Sequence, residues 1–109
     1  MPESFPIATK RTLDTPYGPV IGTSTRWANG QYCALLTARG VVGCGIFDIA
    51  TCDEFKISIA ICRGTVARPL VEPEDLYDAK IVAVSKLAAE YGVKEGMTGL
   101  EAVGVLLGQ

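Results

Sequence analysis

The stretch ANGQYCALLTARGVVGCGIF, residues 28–47, decides the fold. Ala28-Asn29-Gly30 and Ala38-Arg39-Gly40 are tight-turn signals, because Asn and Gly tolerate the positive φ of hairpin turns. Gln31–Thr37 and Val41–Phe47 between and after them read as strands. Upstream, Val20–Trp27 carries β-branched Val20, Ile21, Thr23 and Thr25, which suit a pleated surface. Three sequential strands joined by tight turns form an antiparallel meander.

Further toward the N-terminus the chain is rich in Pro and polar residues, and Tyr17-Gly18-Pro19 marks a turn. Residues 1–17 read as an arm that holds one edge strand, Ile7–Leu13, and residues 18–109 as a single domain. Downstream, Thr51-Cys52-Asp53-Glu54 has the form of a capping box and predicts a short helix. Ile57, Ile59 and Ile61 alternate with Ser58, Ala60 and Cys62, the period of a strand. Arg63–Glu72 is a connection, and Pro73 suits the first turn of a short helix, Pro73–Ala79. Ile81, Val84, Leu87, Ala88 and Tyr91 fall at helical spacing, stopped by Gly92. The same stretch also reads as a strand, Lys80–Val84, followed by a helix capped by Ser85, and periodicity alone leaves both open. Thr98-Gly99-Leu100-Glu101 is a second capping box, and Leu100, Val103, Leu106 and Leu107 give its helix one apolar face. Gly104 inside that helix predicts a close approach by another backbone. The whole is α+β: an antiparallel or mixed sheet of four to five strands, with helices packed mainly on one face.

The 109 residues suit one domain with one core. Apolar residues are 49% and charged residues 20%, which excludes a disordered or fibrous chain. The net charge is -2 and the basic residues are scattered, so no nucleic-acid partner is expected. No apolar run reaches 18 residues and residues 1–11 lack a signal-peptide core, so neither membrane nor export is expected. A cytoplasmic location follows, with Cys33, Cys44, Cys52 and Cys62 as free thiols.

The chain has no histidine. That removes Ser-His-Asp and Cys-His catalysis and the commonest metal ligand. The cysteines show no Cys-x-x-Cys pair, so no metal and no cofactor are expected.

The order of these motifs resembles a known family. Residues 40–48 (GVVGCGIFD), 57–64 (ISIAICRG), 74–80 (EDLYDAK) and 88–102 (AAEYGVKEGMTGLEA) look like the YunC-like family of small bacterial and archaeal proteins, a domain of unknown function. The resemblance spans about residues 18–107 and rests most on Cys44-Gly45 with Asp48 and on Gly96-Met97-Thr98-Gly99 with Glu101. It implies a compact α+β domain and no established activity.

The residues themselves offer five candidates. Cys44 lies between Gly43 and Gly45, and Asp48, four residues on, falls on its face if the strand continues. A carboxylate beside a thiol raises its pKa, however, which is poor electrostatics for a nucleophile. The four cysteines as a metal set are the second candidate, against which their spacing counts. The Gly96–Gly99 turn, with Met97 and Thr98, opens a helix whose free amides can hold a phosphate or carboxylate. Lys94 would add charge to that turn. Arg63-Gly64, with Arg68 nearby, offers a fork for the same groups. Arg26 and Trp27 at a hairpin tip, with Tyr32 across the turn, have the composition of an interface anchor. Three functional readings follow. The chain is a homo-oligomeric structural or interaction module, or it binds a small anion of unknown identity through Gly96–Gly99 and Arg63, or, below both, it is an enzyme using Cys44 and Asp48.

Overall fold

The structure is a computed structural model and describes residues 5–108. Six strands form one sheet in chain order: β1 (Ile7–Thr15), β2 (Gly18–Trp27), β3 (Gly30–Thr37), β4 (Gly40–Gly43), β5 (Ile59–Cys62) and β6 (Ile81–Val84). The helices are α1 (Ile49–Glu54), α2 (Lys86–Tyr91) and α3 (Gly99–Leu106), with a 3-10 helix at Pro73–Leu76. The α+β reading holds. The sheet has six strands rather than four or five because both of the optional strands form.

β1 to β4 make the expected antiparallel meander through three two-residue turns. Two of these turns share one device. Thr15 Oγ1 donates to Gly18 O at 2.6 Å, and Thr37 Oγ1 donates to Gly40 O at 2.7 Å. β1 is longer than expected and pairs along its whole length with β2, from Ile7 opposite Arg26 to Thr15 opposite Gly18.

β4 then pairs in parallel with β5, which pairs antiparallel with β6. The sheet is therefore mixed. β5 starts at Ile59 rather than Ile57, and all four of its residues are buried. Of the stretch left open between strand and helix, Ile81–Val84 is strand, and Lys80 makes only an isolated bridge to Thr98. Ser85 caps α2 by accepting from Ala88 N, and Gly92 ends it with φ at 110°.

Register assigns the two faces. Val20, Cys33, Leu35, Val42, Ala60 and Cys62 share one face. They form the core with Leu76 of the 3-10 helix, Ala88 of α2, and Ala102, Val103 and Leu106 of α3. Across the second face runs an apolar row of cross-strand partners: Ile21, Leu36, Val41 and Ile59. The connection through α1 also passes over this face. There Phe47 lies on Gly43 and meets Tyr32 edge-on at 6.2 Å.

Four local expectations change. α1 starts at Ile49, with Asp48 as its cap, so Thr51 sits inside the helix rather than opening it. A carboxylate at residue 48 reaches the Thr51 amide three residues on, which is as good a cap as Thr51 itself. The Pro73–Ala79 helix shrinks to the single 3-10 turn Pro73–Leu76. The expected strand Val41–Phe47 ends at Gly43, with one further ladder bond, Cys44 N to Cys33 O, before the chain turns. Gly104 faces the ring of Tyr17, about 3.1 Å from where a Cβ would stand, and not another backbone.

α3 is pinned at both ends. Thr98 and Glu101 complete a reciprocal capping box, Glu101 N donating to Thr98 Oγ1 at 3.1 Å and Thr98 N to Glu101 Oε1 at 2.9 Å. Arg39, from the β3–β4 turn, donates to the carbonyls of Leu106 and Val105 at the other end, where a cation also suits the helix dipole. Gly99 packs directly on the 3-10 helix, and a Cβ there would run into the Leu76 carbonyl. Overpacking of this kind costs about 1–3 kcal/mol, and loss of a Thr cap about 1 kcal/mol. In urea denaturation Gly99→Ala is therefore expected to lose more stability than Thr98→Ala. Equal losses would show that the helix slides away from Leu76 at no cost.

Candidate functional site

Parallel strands end on the same side of a sheet, and ligands in such sheets sit outside those carboxyl ends. β4 ends at Gly43 and β5 at Cys62, with Gly43 opposite Ile61. The residues just beyond, Cys44 and Arg63, are thereby brought together although 19 positions apart in the chain. Both line one groove of about 600 Å³, with Gln31 from β3, Gly45 and Gly64 from the two turns, and Leu70 from the connection. A smaller hollow of about 190 Å³ continues from it past Arg63 to Arg68, Asp75 and Asp78. The larger volume is within the usual range for small-molecule sites.

Cys44 is 6% exposed and stands at the base of the groove. Its amide donates to the Cys33 carbonyl at 3.2 Å, which places the two cysteines directly across β3 and the end of β4. Cys33 is fully buried. The neighbouring Cys33 thiol favours the Cys44 thiolate and holds Cys44 below the ordinary thiol range; burial opposes this and the Ile46 amide assists it. The same neighbour, with burial, pushes Cys33 strongly upward. Cys62, across β5, is pushed up to about 12 by burial and then by the charge of Cys44. Three thiols thus lie in a row on the core face, and only Cys44 favours the thiolate and opens on the groove.

Asp48 is not the partner of Cys44. Its Oδ2 accepts from Thr51 N at 3.1 Å and Thr51 Oγ1 at 2.6 Å, and these bonds hold it below the usual carboxylate range. Cys52 is pushed up first by burial and then by the charge of Asp48, which has no such effect on Cys44.

The Gly96–Gly99 turn lies away from the groove, and its amides are already in use. Gly96 N donates to Ile81 O, Met97 N to Lys94 O, Thr98 N to Glu101 Oε1 and Gly99 N to Ala79 O. The next two amides, of Leu100 and Glu101, donate to Tyr77 O and Thr98 Oγ1. The anion-holding amides expected there are occupied by the fold itself. Lys94 lines neither hollow. Trp27 and Tyr32 pack on each other with centroids 6.1 Å apart, while Arg26 lies over the Phe5 ring.

Arg63 and Arg68 have no carboxylate within 4 Å among the described residues, where the ion pairs are those of Arg11 with Glu72 and Glu74. No group of three His, Cys, Asp or Glu side chains among the described residues is arranged to hold a metal ion.

Residues 43–106 match the model of the domain of unknown function DUF1805. The chain belongs to this family. The match takes in Cys44, Arg63 and the Gly96–Gly99 turn, and leaves β1 to β3 outside it. The DUF1805 chain is also similar in structure to a protein of unknown function, TA1206 from Thermoplasma acidophilum. The TM-score is 0.80 at 15% identity, over 97% of this chain and 99% of that one. At that identity the likeness shows the fold alone. No curated protein matches the chain.

Cys33 and Gln31 were missed as site residues in the sequence, yet a signal for Cys33 was present. Cys33 and Cys44 are equidistant from the Ala38-Arg39 turn, so a two-residue hairpin there puts them opposite each other.

Because Asp48 serves α1 rather than the thiol, Asp48→Ala is expected to lower Tm but to leave the pH profile of Cys44 alkylation unchanged. Half of the maximal rate should fall at the same pH in both proteins, below that of an ordinary thiol. A shifted midpoint in Asp48→Ala would restore the pairing of Cys44 with Asp48.

Proposed function

We propose that this DUF1805 domain binds a small molecule carrying a carboxylate or phosphate in the groove beyond β4 and β5. The carrying observation is the convergence of Arg63 and Cys44 at the ends of two parallel strands. Arg63 offers a planar fork for an anionic group, and Arg68 stands beside it in the adjoining hollow. Leu70 supplies an apolar wall and Gln31 a neutral polar contact. Such a mixture of mostly apolar lining and few directed polar groups is how small-molecule sites obtain both affinity and orientation. The four free thiols support a reducing compartment, the cytoplasm, as the place of action.

A ligand at about ten times its Kd stabilises a protein by about 1.4 kcal/mol, worth about 5 °C or more in a domain of this size. Thermal unfolding with inorganic phosphate, pyrophosphate and citrate is expected to show such a rise for at least one of them. Arg63→Ala should abolish it, and Thr98→Ala, away from the groove, should not. A rise that survives Arg63→Ala, or no rise with any of the three, would overturn this reading.

A second reading, self-association, is favoured by the apolar row on the second sheet face. Ile21 in that row remains 39% exposed, and Leu36 and Val41 beside it are only half-buried. The row ends in a shallow hollow of about 500 Å³ that includes Thr12, Ile21 and Leu36. β1 itself bears Lys10 and Arg11, charges that discourage edge-to-edge pairing, so the face is the better candidate. Native mass spectrometry is expected to give multiples of 11.5 kDa, reverting to the single chain in Ile21→Lys. A monomer at micromolar concentration would remove this reading.

A further inference from the structure

We infer that Cys44 and Cys33 form a dithiol pair that exchanges with a small disulfide bearing carboxylates, bound in the groove through Arg63. This rests on the groove being a binding site and names the chemistry performed there.

Geometry divides the two roles. Antiparallel partners in a hydrogen-bonded pair have Cα atoms about 5.5 Å apart, inside the range that a disulfide spans. The Cys44 amide bond to the Cys33 carbonyl places this pair in that relation. Cys44 reaches the groove, whereas Cys33 is fully buried behind it. A substrate therefore meets Cys44 first, and Cys33 only by way of Cys44. The preference of Cys44 for its thiolate, set by Cys33 and the Ile46 amide, fits the attacking role, since the thiolate is the nucleophile in exchange. Cys62, third in the row, is buried and held protonated, which leaves it out of the exchange.

The steps balance. The Cys44 thiolate attacks one sulfur of the bound disulfide. Its S–S bond breaks, a Cys44–S bond forms, and the first half leaves as a thiolate. That thiolate takes a proton from water. The Cys33 sulfur then attacks Cys44 Sγ, its proton passing to the second half as that half leaves, and a Cys33–Cys44 disulfide forms. Two electrons pass from the protein to the substrate. A low-molecular-weight thiol returns the pair to the dithiol by the reverse exchange.

The test uses the full reduced chain and oxidised glutathione, a disulfide rich in carboxylates, followed by alkylation and peptide mass mapping. The wild type should lose two hydrogens and yield a Cys33–Cys44 linked peptide, a result that needs no variant. Cys33→Ala should stop at a mixed disulfide on Cys44, and Cys44→Ala should give neither product. Arg63→Ala should slow capture of oxidised glutathione by roughly tenfold, while capture of an uncharged aromatic disulfide is unchanged. Labelling of Cys44 no faster than that of Cys52 and Cys62, or a link between any other pair, would overturn the inference. The anion-dependent rise in Tm of the wild type separates the two ideas. Its presence with no exchange would leave a binding groove without thiol chemistry, which overturns this inference alone. Its absence would instead sink the groove.

Discussion

β5 must be buried on both faces and paired along both edges, and the rest of the domain is arranged around that requirement. Its four residues, Ile59–Cys62, carry no polar side chain other than a thiol. The helical layer of α2, α3 and the 3-10 helix covers one face, and the connection through α1 lies over the other. Ser85 closes the arrangement. Its side chain accepts from Ile59 N at 3.0 Å and from Ala88 N at 3.4 Å, while its own amide donates to Ile59 O at 2.9 Å. One buried hydroxyl thus satisfies the start of β5 and the start of α2 together. An unpaired amide in that position would cost on the order of 1–3 kcal/mol.

The groove follows from the same requirement. A central strand reached by a crossover runs parallel to the strand before it, and parallel strands place their carboxyl ends side by side. An antiparallel β4–β5 hairpin would have sent Cys44 and Arg63 to opposite ends of the sheet or merged them into one turn. The fifteen residues of the crossover, Cys44–Ser58, are what allow a thiol and a guanidinium far apart in sequence to share one floor.

The meander was legible because its signals are local: Asn-Gly and Arg-Gly turns between β-branched runs. The α3 cap was legible for the same reason, since Thr98 and Glu101 satisfy each other within one turn. The direction of β5 was not legible. Its alternating Ile residues announce a strand, but whether it pairs parallel or antiparallel with β4 depends on the crossover between them, which period alone does not contain. Thr51 misled because Asp48, a carboxylate just upstream, competes for the same cap. At the site, Cys44 and Arg63 were singled out separately, but their meeting depends on the parallel pairing. At Gly96–Gly99 the amides are taken by the carbonyls of Ile81, Lys94 and Ala79 and by the Glu101 carboxylate, partners that the glycine spacing alone does not announce.

Gly45 bears on what the groove is for. Gly43 is required beneath the Phe47 ring, and Gly64 is hemmed by the Arg68 carbonyl and Leu70, so the fold accounts for both. Gly45 is different. Its φ lies outside the left-handed region, and a Cβ there would meet nothing closer than the Cys62 carbonyl at 3.8 Å, an ordinary contact. Neither backbone conformation nor packing demands glycine at this position. It lines the groove beside the Cys44 thiol, and its missing side chain leaves the approach to that sulfur open. In the proposed site this glycine has a use that folding does not give it, since a side chain there would stand among the residues that line the groove with Cys44.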